Sequence, residues 1–163
     1  MMKYIVLYLG FLLVGCGFQP LYISHEDTLN QAASVQIDPI AGQGGYETEL
    51  ILQKRLNPEQ KAVAPKYRLS VVLNQPTYTN QSIRSDNFAT LEKMSVSATY
   101  KLKDIQKNQI VISSSVDTNG MFNLVKDPYA TVAAKEKLYD NLIRAMADDI
   151  AMHILSYFKG VHP

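Results

Sequence analysis

Between positions 67 and 158 the apolar residues follow two rhythms. From Met94 to Leu102 the chain alternates without a break: Met94, Val96, Ala98, Tyr100 and Leu102 stand between Ser95, Ser97, Thr99 and Lys101. A strict period of two predicts an antiparallel strand with one buried and one wet face. Tyr67, Leu69, Val71 and Leu73 repeat the pattern, and Ile110–Val116 follows a polar turn at Asp104–Gln109. Asn119-Gly120 predicts a later bend or bulge. Residues 67–125 thus form a predicted meander of three strands. After Asp127-Pro128 the period lengthens: Tyr139, Ile143, Met146, Ile150, Ile154 and Phe158 recur every three or four residues, widened by Leu138, Leu142 and Leu155. Lys135, Glu136, Asp140, Arg144, Asp148 and Asp149 lie mostly off this stripe. The spacing predicts a long helix over 130–157 packed on a sheet.

Upstream, Ser34–Ile40 predicts a short first strand, near an edge because of Pro39. Gly42–Gly45 is a turn. Tyr46–Asn57 predicts a helix, with Glu47 and Glu49 in the first turn, Lys54 and Arg55 in the last, and Pro58 as its stop. Tyr46, Leu50 and Ile51 are assigned to its inner face. Gly17–Ala33 shows no period and is assigned to a tether. The order β-α-β-β-β-α defines an α+β, two-layer sandwich: a mostly antiparallel four-stranded sheet with two helices packed on one face.

The first residues change the picture. Lys3 supplies a short positive region, and Tyr4–Val14 is an apolar run of eleven residues. A membrane-spanning helix needs about 20 residues, so the run has the length of a signal-peptide core instead. It ends in Leu13-Val14-Gly15-Cys16, the pattern of a bacterial lipobox, and Cys16 is the one cysteine in the chain. Residues 1–15 are therefore read as a cleaved lipoprotein signal peptide, 16–33 as an acylated N-terminus and tether, and 34–160 as a single domain. Two or more acyl chains anchor stably, at about 0.8 kcal/mol per buried methylene. Gly17, in place of an aspartate, favours delivery to the outer membrane.

Composition narrows the function. The chain has 163 residues, 47% of them apolar, with 16 Lys plus Arg against 15 Asp plus Glu. That balance argues against a nucleic-acid partner, which calls for a basic excess. One cysteine excludes a disulfide framework within the chain. Asp148 and Asp149 are adjacent on a helix and point about 100° apart, so they do not converge as a catalytic pair. His153 stands four residues after Asp149, a ligand spacing without a third ligand. Ser113-Ser114-Ser115 lacks a glycine elbow. The sequence predicts no catalytic residue, no cofactor and no metal.

Gly15-Cys16-Gly17-Phe18-Gln19-Pro20-Leu21-Tyr22 resembles the lipobox and mature start of the LPS-assembly lipoprotein family LptE. Ala89-Thr90 through Tyr100–Asp104 is similar to that family's central strand. Pro128-Tyr129-Ala130, with Ala147-Asp148-Asp149-Ile150 and Ile154-Leu155, resembles its C-terminal segment. The resemblance implies an outer-membrane lipoprotein on the periplasmic side that plugs an LptD-type β-barrel as a one-to-one heterodimer. It further implies help in barrel assembly and in placing lipopolysaccharide in the outer leaflet. A lipoprotein binding component of a phospholipid ABC transport system is the alternative.

Lipid A presents phosphates, which call for Lys or Arg. Lys93, Lys101 and Lys103 share the wet face of one strand by parity, behind Ser95, Ser97 and Thr99. Arg68 and Arg84 join them if strand pairing allows. These five are the candidate phosphate contacts, and Cys16 is the lipidation site. A solvated strand face whose lysines deter edge pairing is the competing reading.

Overall fold

The alternation at Met94–Leu102 lies within the longest strand among the described residues. The computed structural model describes residues 23–83 and 89–160. They form helices α1 (Ile23–Ala33), α2 (Gly45–Leu56) and α3 (Pro128–Phe158), with strands β1 (Val35–Ile37), β2 (Tyr67–Leu73), β3 (Thr77–Ile83), β4 (Ala89–Asp104) and β5 (Gln109–Asn123). β4 pairs antiparallel with β5 from Leu91↔Asn123 to Asp104↔Gln109. Its opposite edge pairs antiparallel with β2 and β3, and β1 adds to β2 in parallel.

The period of two decides which face is covered. Met94, Val96, Ala98, Tyr100 and Leu102 are all buried, as are Leu69, Val71, Val116 and Phe122 on the neighbouring strands. α3 lies along β4 and β5 and supplies the other half of the core through Tyr139, Leu142, Ile143, Met146, Ile150 and Ile154. Fully burying one such Leu, Ile or Met side chain is worth about 1.5–3 kcal/mol, so this seam dominates the stability. Asp127 starts α3: its side chain accepts from the Tyr129 N–H at 3.0 Å, and Pro128 occupies the first turn, where its missing donor costs nothing. α2 packs between α3 and β1, and α1 packs against α3. The architecture is an α+β sandwich with helices on one side of a largely antiparallel sheet.

Among the described residues five strands are present where four are predicted. The addition is β3, whose sequence Thr77–Ile83 (TYTNQSI) carries no apolar alternation because its outer residues face solvent. It is not a new column of the sheet. β2 and β3 lie end to end along one edge of β4, with partners Leu73↔Ala98 before the break and Thr77↔Ser95 after it. Between them the β2–β3 side spends one residue more than β4, a bulge at Asn74–Pro76. Proline has no N–H to offer a ladder, and Asn74 bridges the gap: its N–H donates to the Ser97 carbonyl and its Nδ2 to Ser97 Oγ, both at 2.9 Å. The sheet is therefore four columns wide.

Four other expectations are corrected. The first strand is confined to Val35–Ile37. The segment assigned to a tether is helical over Ile23–Ala33, with Thr28 and Ala32 buried, although its first part, 17–22, lies outside the described residues. The inner face of α2 is Gly45, Thr48, Leu52 and Leu56, whereas Tyr46 is 80% exposed. Gly45 sets that rotation, because a Cβ there would strike the Ile40 carbonyl oxygen, so the backbone itself lies against its neighbour. Asn119-Gly120 makes no bulge: the β4–β5 register is regular there and shifts instead at Leu102/Lys103, leaving Val111 as the extra residue. Gly120 instead packs closely under α3: a Cβ on it would sit 2.6 Å from Leu138 Cδ1, so that side chain would have to shift to admit one.

Candidate functional site

The uncovered face of the sheet gathers part of the predicted basic group. Lys103 is directly opposite Arg68 on β2, and Lys101 is opposite Ser70. Two like charges side by side across a ladder repel, and Asp38 offsets them. Just past β1, its N–H donates to the Leu69 carbonyl, and its carboxylate lies 3.8 Å from Arg68 Nε while accepting from Ser70 Oγ at 2.7 Å. Arg68, Lys101, Lys103 and Asp38 form one surface cluster with a net charge of +2. It can hold an anionic group such as a phosphate through charge-assisted bonds. Asp38 is not among the sequence candidates; only the parallel β1–β2 pairing brings it there.

Lys93 does not belong to this cluster. It is eight positions from Lys101 along β4, roughly 27 Å at strand spacing, and its neighbours are Thr79 and Met121. Arg84 and Cys16 lie outside the described residues. Between the two ends the open face carries Ser95, Ser97 and Thr99 of β4 beside Ser113, Ser115, Asp117 and Asn119 of β5, with Val72 of β2 exposed opposite Thr99.

Several other polar side chains have structural partners. Asp148 is held by Arg55 through Nε–Oδ1 at 2.7 Å and Nη2–Oδ2 at 3.0 Å, joining α2 to α3. Glu47 pairs with Arg144 between the same helices. His153 Nδ1 shares a hydrogen bond of 2.7 Å with the Tyr100 hydroxyl. Burial pushes the Tyr100 hydroxyl above its ordinary pKa, with a Ser114 hydrogen bond acting in the opposite direction. Burial raises Tyr139 likewise, and its hydroxyl donates to the Gln43 carbonyl at 2.6 Å. Among the described residues, no three His, Cys, Asp or Glu side chains converge as metal ligands. A groove of about 440 Å³ runs between β1 and the end of α2, beside Ile37, Leu56 and Lys54.

This fold is similar to that of several solved bacterial lipoproteins. A candidate lipoprotein of Caulobacter crescentus CB15 matches with a TM-score of 0.63 at 21% identity, over 83% of this chain and 98% of that one. Uncharacterized lipoprotein B of Nitrosomonas europaea gives 0.63 at 13% identity, over 78% and 84%. Rare lipoprotein B of Shewanella oneidensis gives 0.51 at 12%, over 77% and 95%. In sequence, the chain is 24% identical over 147 residues to an uncharacterized protein of Rickettsia prowazekii (strain Madrid E), covering 90% of this chain and 91% of that protein. No family model matches.

Proposed function

We propose that this chain is a lipid-anchored outer-membrane protein that plugs an LptD-type β-barrel, assists its assembly and helps insert lipopolysaccharide in the outer leaflet. The observation that carries the reading is the octet Gly15–Tyr22, an acylation signal continuous with a specific mature start, on a chain with the fold of solved lipoproteins. The open face supports it. A barrel lumen is polar and wet, and a plug for it needs small polar side chains and charge of both signs in place of an apolar patch. The cluster of Arg68, Lys101 and Lys103 then meets the phosphates of lipid A, and Cys16 carries the anchor. Binding, shape and electrostatics suffice for this role, with no covalent step.

The test is affinity purification of the mature lipidated protein from detergent-solubilised membranes, with mass analysis of what accompanies it. One large outer-membrane β-barrel in equal amount supports the reading. Recovery of an ABC transport complex supports the phospholipid-transport alternative and overturns the plug.

A further inference from the structure

The β4–β5 hairpin carries hydrocarbon and positive charge side by side. Arg68, Lys103 and Ile110 are successive register partners across β2, β4 and β5, so they form one row on the open face. Ile110 is 50% exposed, and Ile105, in the turn, is 39% exposed. The turn is fixed to its neighbours: the Ile105 N–H donates to the Lys66 carbonyl and the Lys107 N–H to Asp104 Oδ1, both at 2.9 Å. Behind it the Tyr67 and Phe158 rings meet at 5.0 Å, and Tyr157 packs on Phe158 at 5.5 Å. This end of the sheet gathers Lys66, Arg68, Lys101, Lys103, Lys107 and Lys159 around Asp38 and Asp104, six cations against two carboxylates, for a net charge of +4. The loop leading into β2 adds Glu59 and Lys61 as an ion pair with no net charge. The whole chain holds 16 basic against 15 acidic residues, so the excess is local.

We propose that this hairpin end docks on an anionic phospholipid surface, the leaflet that holds the chain's own acyl anchor. The proposal rests on the anchor of the reading above and not on the barrel. Charge complementarity chooses the occupant. Basic side chains are drawn to an anionic leaflet within a Debye length, about 8 Å at physiological salt. Exposed isoleucines among them then enter the boundary between headgroup and acyl chain, the level that tyrosines also take at membrane interfaces. Reach allows it. The carbonyl of Ser34, the residue after α1, accepts the Lys66 N–H at 3.0 Å, so α1 ends at the hairpin end. Its 11 residues are about 16 Å long, and the chain from Cys16 to Ile23 spans at most about 25 Å. An anchor at Cys16 therefore keeps the hairpin end within about 40 Å of the bilayer by any path. A strand end, unlike a sheet face, is also a part that a plug can hold beyond a barrel's rim. The opposite end of the sheet exposes Met121, Val125 and Tyr129, but there Lys93 and Lys126 stand against Glu92 and Asp127. Without a net charge among these residues, that end has no preference for an anionic layer.

The test uses the full lipidated chain, with its acylation read first by mass. Cys16 is capped by its lipid, so Gln106→Cys in the turn supplies a single thiol for an environment-sensitive dye. Vesicles of phosphatidylethanolamine and phosphatidylglycerol, with a quencher on some acyl chains, report whether the turn enters. Quenching is expected there, about tenfold weaker in phosphatidylcholine vesicles, and absent for a dye at Asn123→Cys on the opposite end. In the dye-bearing background, Lys103→Glu with Lys107→Glu is expected to lower the ratio of inserted to free turn about tenfold, as is Ile105→Ser with Ile110→Ser. Circular dichroism checks that both keep the fold, and Met121→Ser is expected to change nothing. An acylated protein whose turn stays unquenched in anionic vesicles overturns the docking and leaves the anchor and the plug intact. Equal quenching at both ends, or in neutral vesicles, overturns it as well. Quenching that appears only once lipopolysaccharide is added makes lipid A the occupant and overturns the proposal. A mature chain without acyl groups overturns the anchor reading and this docking together.

Discussion

The Tyr100 hydroxyl and His153 Nδ1 meet at 2.7 Å, fastening the middle of the central strand to the last third of the long helix. Tyr100 is almost fully buried, so its hydroxyl needs a partner inside the seam between helix and sheet. His153, which stands at ligand spacing from Asp149 without a third ligand, has its Nδ1 engaged by this contact with the sheet.

Tyr100→Phe is expected to lower stability by about 0.5–1.5 kcal/mol, the usual net worth of one hydrogen bond. Urea denaturation checks it. In a double-mutant cycle with His153→Ala the two losses are expected to be non-additive; additive losses would show that the bond contributes nothing.

Alkaline pH is expected to weaken the fold. Tyr67, Tyr100 and Tyr139 each have a pKa raised above 10.0, burial being the largest cause in every case. The unfolded chain ionises first, so it holds fewer protons than the native state in that window. Stability is therefore unaffected by these groups below pH 10, falls as pH rises from there toward their folded values, and then levels. Urea midpoints across that range read the slope, which Tyr139→Phe is expected to make shallower.

The rotation of α2 is tested by two truncations. Leu52 is fully buried and Tyr46 is 80% exposed. Leu52→Ala is expected to cost about 2–5 kcal/mol through lost burial and a cavity. Tyr46→Ala should stay within about 0.5 kcal/mol, as surface changes do. Thermal unfolding of both variants decides whether the helix presents the face described.

Charge reversal separates the two ends of the open face. Lys101→Glu with Lys103→Glu is expected to weaken binding to purified lipopolysaccharide and to reduce its salt sensitivity, with the fold unchanged. Lys93→Glu is expected to have a much smaller effect, because that lysine stands outside the cluster. Equal losses from both ends would return the basic residues to a single extended stripe.

Cys16→Ala is expected to abolish acylation and release the protein from membranes, while the far-ultraviolet circular dichroism stays as in the wild type. Membrane fractionation with metabolic fatty-acid labelling reads both. A labelled, membrane-bound variant would place the anchor elsewhere.

Much of this fold is legible wherever burial imposes a period. The strand through Met94–Leu102 and the helix through Tyr139–Ile154 each bury one face completely, so their apolar residues repeat without error. Thr77–Ile83 is held by its ladder to β4, and backbone pairing leaves no mark on side-chain polarity. The inner face of α2 is misread for a related reason: Gly45 is buried because the backbone comes close to Ile40, and Thr48 is buried with its hydroxyl donating to the Gly44 carbonyl, neither of which hydrophobicity reports. Parity along β4 places Lys101 and Lys103 together on the open face. It is silent on the distance to Lys93 and on Asp38, which arrives from a strand 30 residues away in sequence from Arg68.

β4 also sets an order of events for a chain that grows from its N-terminus. It supplies the antiparallel partner of β2, β3 and β5 alike. Until residue 104 has emerged, the described residues before β4 have only the short parallel pairing of β1 with β2 as a sheet. The β4–β5 hairpin closes through a short turn and α3 follows directly, so the second half of the molecule acquires its contacts locally and quickly. The described N-terminal elements dock onto a scaffold made after them.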